Sequence, residues 1–236
     1  MSLYRDYSIR DIALADGMEG KVSEVSAEAA KKVLADTQKE NIRVLILVTQ
    51  EEDFLFPATA FVIHKELELP QYCMVYDINL GADGFLTALE TAIGLLIPYG
   101  KEAEALVIAG DCNRASAARI GSTPGMKIEF VHKSNPRDWD IAYRSRWSKE
   151  LEFDRERYKK VIDVSVPEFE EQTRQRDITC LICPQKNMAA EELSDSPVLV
   201  PKEIIQKKYS DDWDSECFAC FGCGAGGSIT AAYFTV

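Results

Sequence analysis

Residues 72–98 read YCMVYDINLGADGFLTALETAIGLLIP, and the fold turns on this stretch. YCMVYDI is a short apolar run of strand type, and NLGADG is dense in turn-forming residues. From Phe85 the apolar positions fall at 85, 86, 89, 92, 93, 96 and 97, a helical period that stops at Pro98. The same alternation continues on both sides. RVLILVT (43–49) is a continuous apolar strand of the kind buried on both faces. PATAFVIHKELE then starts a helix at Pro57, where proline suits the first turn because its missing N–H has no helical partner there. Upstream, SAEAAKKVLAD (26–36) has helical spacing with Ser26 as N-cap, and downstream EALVIAG (104–110) is another strand. Strands and helices alternating through short connectors predict an α/β chain with a largely parallel, helix-covered sheet.

The second half is less regular. MKIEFV (126–131) has strand character, whereas 136–177 is polar and charge-rich, with Trp139, Trp147 and Tyr158 as anchors for one or two helices. ITCLIC (178–183) reads as a strand, PKEIIQKKY (201–209) as a helix, and strands flank FGCGAGGS at 216–221 and 228–235. The order of elements repeats the first half in outline, with a division between residues 1–135 and 136–236 of one compact unit.

Composition narrows the function classes. The 236 residues are 46% hydrophobic and 28% charged, an ordinary core-forming balance. With 27 Lys plus Arg against 39 Asp plus Glu the formal net charge is −12, which disfavours nucleic acid, where Lys and Arg must displace phosphate counterions, and anionic membrane surfaces. The N-terminal MSLYRDYSIRDIALADG carries charges throughout and lacks the apolar region of a signal peptide. Seven cysteines, an odd number in a chain of this size, read as reduced thiols of the cytoplasm.

Four segments carry a family resemblance: VLILVTQEEDFLFPATAFVIHKEL, YDINLGADGFLTALETA, ALVIAGDCNRAS and the closing VPKEIIQKKYSDDWDSECFACFGCGAGGSITAAYFTV. Together they resemble the thiolase-fold condensing enzymes, specifically β-ketoacyl-acyl carrier protein synthase III. The resemblance implies a layered αβαβα architecture from two related halves, compacted here by deletions, and a homodimer or a heterodimer with an active synthase paralogue. It also implies acyl thioesters as ligands, no cofactor, and a place for ALVIAGDCNRAS at the dimer interface. The family's opening strand has no clear counterpart, and whether DYSIRDI replaces it stays open.

The family's Claisen-type condensation needs a cysteine at a helix N-terminus, where the dipole and free N–H groups lower the thiol pKa. A His and an Asn then polarise the second thioester. By resemblance the cysteine position falls on Ala82, the His position on Gln185 within Pro184-Gln185-Lys186-Asn187, and the Asn position near Ser194. Alanine has no nucleophile, and an Asp83 beside it opposes thiolate chemistry, so the standard condensation is expected to be absent. The chain is also shorter than the family norm, and its net charge disfavours, without excluding, a local basic patch for an acidic carrier protein. Phe56 resembles the phenylalanine that crosses the family's dimer interface into the partner's pocket; an aromatic plug within its own subunit is the alternative.

Two enzyme-free readings and one enzymatic reading remain. The leading one is a non-catalytic partner or scaffold subunit. A second is an acyltransferase working without covalent capture, which needs an open pocket at Ala82 faced by Asp83, Gln185 or Asn187. A third is a metal module built on Cys180-x-x-Cys183 and Cys217-x-x-Cys220-x-x-Cys223, spaced like zinc ligands. Strand geometry argues against it, since residues three apart point to opposite faces, and no metal ligand set is assigned. Cys112 is a lone thiol after a strand, reactive or structural; His64 and His132 fall outside any motif and read as packed or solvated; the acidic runs read as solvated faces.

Overall fold

The computed structural model describes residues 6–54, 56–122, 124–132, 143–144, 152–178, 180–210, 217–224 and 229–236, with backbone alone at 131–132, 143–144 and 152–153. In chain order the elements are β1 (Tyr7–Ala15), α1 (Val22–Leu34), β2 (Ile42–Val48), α2 (Thr59–Glu66), β3 (Met74–Ile78), α3 (Gly84–Leu96), β4 (Glu104–Gly110), β5 (Ala115–Ser122) and β6 (Met126–His132). There follow β7 (Tyr143–Arg144), β8 (Glu152–Phe153), α4 (Arg155–Arg174), β9 (Leu181–Ile182), α5 (Leu199–Lys208), β10 (Cys217–Cys223) and β11 (Ile229–Thr235). β7 and β8 form a separate two-stranded ribbon.

The remaining strands make one nine-stranded sheet in the order β3-β2-β4-β5-β1-β6-β11-β10-β9. Its order is palindromic about the β1·β6 seam, where Ser8 faces Lys127 and Ile9 faces Met126. β2·β4 is parallel and β4·β5 and β5·β1 are antiparallel. Across the seam β9·β10 is parallel and β10·β11 and β11·β6 are antiparallel. The two halves therefore repeat one topology, with α4 standing for α1 and α5 for α3. Among the described residues, α2 and β3 have no second-half counterpart, which is the compaction expected from the sequence. β6, although ahead of residue 135, pairs with the second-half strand β11.

α3 and α5 form a shared middle layer. α3 packs on β2 and β4 and reaches β11, while α5 packs on β9 and β10 and reaches β1. Val44, Ile46 and Val48 of β2, Phe85 of α3, Ile204 of α5 and Phe234 of β11 meet in one buried cluster. On the outer faces α1 and α2 cover Leu45, Leu47 and Ile108, and α4 covers Ala219, Phe221 and Tyr233. The result is the αβαβα layering. β2 shows how a run buried on both faces arises. Its residues from Val44 alternate between the middle and outer layers, and a register shift between Ile42 and Val44 sends Ile42 to the outer layer with Leu45 and Leu47.

Several local expectations change. α1 begins a turn earlier than Ser26, which is buried inside it; its first amides, Val22 and Ser23, donate to the Asp53 carboxylate at 2.8 and 3.1 Å. Pro57 lies two residues ahead of α2, whose leading amides, Thr59 and Ala60, donate to Asp77 at 2.7 and 2.8 Å. DYSIRDI does supply an opening strand, β1, whose Arg10 pairs with the buried Glu104, as does Arg119. β5 was not anticipated. The 178–183 strand shrinks to Leu181–Ile182. ALVIAG, expected at a subunit interface, is the interior strand β4, buried at every residue between β2 and β5; the strand at that edge of the sheet is β3. Trp139, Trp147 and the glycine turn at 225–228 lie outside the described residues.

Helix α2 thus depends on a carboxylate from a neighbouring strand. Asp77→Ala is expected to lower the unfolding free energy by about 1–2 kcal/mol, the range for loss of an N-cap acceptor, read from urea denaturation. An unchanged midpoint would contradict the capping role.

Candidate functional site

The turn between β3 and α3 places Ala82 and Asp83 immediately ahead of α3, with Asp83 at its N-cap, and both are buried. Two glycines let other chain segments close on this elbow. A Cβ on Gly222 of β10 would lie 2.7 Å from Asp83 Cα, and one on Gly81 would lie 2.0 Å from Asp195 Oδ1. The space left at Gly81 is taken by the Asp195 carboxylate, which is only 6% exposed.

Three donors converge on that carboxylate. Ala82 N–H donates to Oδ1 at 3.0 Å, Tyr158 Oη lies 3.2 Å from Oδ1, and Gln50 Nε2 donates to Oδ2 at 2.8 Å. Gln185, wholly buried, donates from Nε2 to Tyr158 Oη and, at 3.2 Å, to the Cys223 carbonyl. Tyr158 Oη also lies close to that carbonyl. A phenol has a single proton to give. Because Gln185 already serves the Cys223 carbonyl, the charge-assisted bond to Asp195 is where that proton contributes most. Burial first, then the Asp195 charge, raises the Tyr158 pKa well above its ordinary value, so the phenol stays protonated and acts as a donor.

The expected site residues divide into two groups. Ala82 and Gln185 come together through Tyr158 and Asp195, and Asp83 is buried at the same elbow. Ser194 faces a cleft of about 260 Å³ with Gln50, Cys112, Arg114, Arg155 and Asp195, and its hydroxyl accepts from Ser196 N–H at 3.2 Å; Asp195 beside it is the residue that reaches the elbow. Asn187 is exposed and faces solvent, which removes it from the polar set expected around Ala82. Phe56 is 91% exposed, so the plug reading fails: its ring fills no space in its own subunit. Asp195, Gln50 and the role of Tyr158 escaped the sequence reading. The available signal was an aspartate next to Ser194 in the compressed turn before α5.

The cysteines behave as small apolar groups. Along β10, Cys220 points into the middle layer and Cys223 toward α4, on opposite faces as strand geometry requires. Burial pushes the Cys183 thiol up to about 12, with Cys220 and Cys223 also raised, again mainly by burial. Cys223 therefore offers no thiolate to the elbow it adjoins. Cys112 is raised as well, chiefly by its hydrogen bond to Glu51. Among the described residues no group of three or more His, Cys, Asp or Glu is placed to hold a metal ion. His64 Nε2 lies 3.0 Å from the Pro70 carbonyl, a packing role. No described helix is long and apolar enough to cross a membrane.

No protein-family model matches the chain. Over 93 residues, 39% of this chain, it is 34% identical to the β-ketoacyl-[acyl-carrier-protein] synthase III of Neisseria gonorrhoeae and 33% identical to that of Neisseria meningitidis. The matched stretch spans 29% of those relatives' length. Xanthomonas campestris OleA with bound cerulenin has a TM-score of 0.80 at 15% identity, covering 99% of this chain and 98% of that one. A further OleA structure, with bound lauric acid and lauroyl-CoA, gives 0.80 at 15% identity over 99% and 100%. The 3-oxoacyl-(acyl carrier protein) synthase III of Xanthomonas oryzae gives 0.76 at 16% over 99% of each chain. The resemblance to thiolase-fold condensing enzymes and the fold expected from it both hold.

Two outcomes follow from the buried network and thiols. Tyr158→Phe strips a donor from Asp195 and an acceptor from Gln185, and is expected to cost about 1–3 kcal/mol in chemical denaturation, the range for stranded buried polar groups; a neutral result would contradict the network. The thiols raised by burial keep their protons in the folded chain while the unfolded chain releases them near pH ~8.5. Stability is therefore expected to fall as pH rises from about 8.5 toward 12, seen as a declining urea midpoint. A flat profile would contradict it.

Proposed function

We propose that this chain performs no condensation of its own and serves as a non-catalytic partner or scaffold subunit for an active synthase III-type paralogue in fatty-acid- or polyketide-type metabolism. The observation that carries this reading is the elbow. Where the family resemblance calls for a cysteine the chain has Ala82, and the amide at that position is already bonded to Asp195. Gln185, in the position of the family's His, is a neutral amide committed to Tyr158 and the Cys223 carbonyl. None of these groups supplies a nucleophile or a titrating base.

A partner role needs a surface, and the β3 edge of the sheet supports one. Exposed aromatics surround that edge: Phe61 on α2, which packs on β3, and Tyr72 and Tyr76 before and in β3. Tyr99, whose hydroxyl lies 3.8 Å from Met74 Sδ of β3, is another, and Phe56 is exposed on the loop ahead of α2. An edge strand with free backbone groups beside apolar rings favours pairing with another sheet. A second subunit of the same fold, this chain or a paralogue, fits it, with Phe56 projecting into the partner. The cytoplasm suits such a role.

The reading as an acyltransferase without covalent capture draws on acyl thioesters of the kind bound in OleA. It requires open space at Ala82, and the burial of Ala82 beneath Asp195 weighs against it.

Co-expression with a full-length synthase III paralogue from the same source is expected to yield a mixed oligomer on size-exclusion chromatography and a changed condensation rate. Phe56→Ala is expected to weaken that association. The chain incubated alone with acyl-CoA is expected to show no covalent adduct by intact mass. A homodimer that binds no paralogue and alters no rate, or an acyl adduct on the chain, would overturn the proposal.

A further inference from the structure

We infer that Asp195 is an internal plug: its carboxylate fills an anion-binding cradle at the elbow and shuts Ala82 off from the neighbouring cleft. The cradle's donors come from three separate elements, the Ala82 amide of the elbow, Gln50 after β2 and Tyr158 of α4. Their arrangement, two on one oxygen and one on the other, matches a planar carboxylate, and the missing side chain of Gly81 gives that group its room. The occupant is tethered on a short turn, Ser194-Asp195-Ser196-Pro197, just before α5.

That turn has a second side. Gln50, Ser194, Asp195, Ser196 and Arg155 line the cleft of about 260 Å³, which also holds Arg114. Asp195 is thus the partition between a polar cleft and the cradle. Ser196 anchors the turn by donating from Oγ to Asp111 Oδ2 at 2.9 Å, and Leu193 anchors it by accepting from Arg155 Nε at 3.3 Å. While Asp195 stays in place, the Ala82 amide has no hydrogen to offer a thioester carbonyl or its oxyanion, the task backbone N–H groups perform in acyl transfer. The chain therefore carries an occupant where a substrate oxygen would otherwise be held. This deepens the non-catalytic reading and rests on it for its meaning, but the contact itself is tested without any acyl thioester.

The test uses formate as a free carboxylate, formamide as its neutral counterpart, and iodoacetamide as a neutral probe of position 82, with sites assigned by peptide mass. Asp195→Ala and Asp195→Ser both vacate the cradle, so that one failing to fold leaves the other. Formate is expected to raise the melting temperature of these variants and not of the parent, with formamide inert. In an Ala82→Cys background, alkylation at 82 is expected to be slow with Asp195 present and at least roughly tenfold faster once it is truncated, a factor equivalent to about 1.4 kcal/mol. Formate is expected to slow it again. Rapid alkylation in Ala82→Cys alone, or formate acting no better than formamide, would overturn the plug. Neither arm depends on a partner synthase, so these results stand apart from the co-expression assay.

Discussion

The buried carboxylate of Asp195 joins the two halves of this molecule at the elbow between β3 and α3. Asp195, from the second half, accepts from the Ala82 amide and Gln50 of the first half and from Tyr158 of the second. Taking an ion out of water is costly unless each lone pair is met. Here the donors meet it, and the geometry of the elbow, β10 and α4 follows from keeping them there. Gly81 and Gly222 are small so that Asp195 and β10 can approach. Gln185 and the Cys223 carbonyl fix the orientation of Tyr158. Another link across the halves, Thr87 Oγ1 to Thr230 Oγ1 at 2.9 Å, ties α3 to β11.

The palindromic sheet explains how a chain of this length retains the architecture. The β1·β6 seam and the α3–α5 layer are kept, and these carry the contacts between halves. The second-half counterparts of α2 and β3 are the elements missing among the described residues, and they belong to the periphery of the sheet. Among the described residues β9 is a two-residue edge strand, while the first half has a five-residue edge strand, β3, with exposed Tyr76 on it. The two edges of the sheet are therefore unlike in length and in exposed aromatic surface.

Legibility in the sequence followed bulk and locality. β2, β4 and α3 announce themselves because large apolar residues recur at strand or helix period, and the elbow was read from its turn residues. β5 was missed because ASAARIGS is small and polar; the burial of its alanines comes from close packing under α1, whose own contact face is alanine-rich. β1 was obscured by Arg10 and Asp11, and Arg10 is accommodated by the Glu104 carboxylate and the Ser122 carbonyl, both distant in sequence. The starts of α1 and α2 were misplaced because their caps, Asp53 and Asp77, come from other elements and leave no local signature. At the site, Ala82 and Gln185 were singled out by resemblance, and the structure brings them together through Asp195 and Tyr158. Asp195 was not singled out: its place beside Ser194 in the compressed turn was the one signal, and that local sequence does not say that the side chain points inward to the other half.

Native-state hydrogen exchange at the Ala82 amide tests the central claim most directly. This amide precedes α3 and belongs to no helical or strand ladder, so its protection depends on Asp195. The account predicts exchange as slow as that of the β2 and β4 core amides, through large-scale opening of the fold. Fast exchange at Ala82 while those core amides stay protected would contradict it.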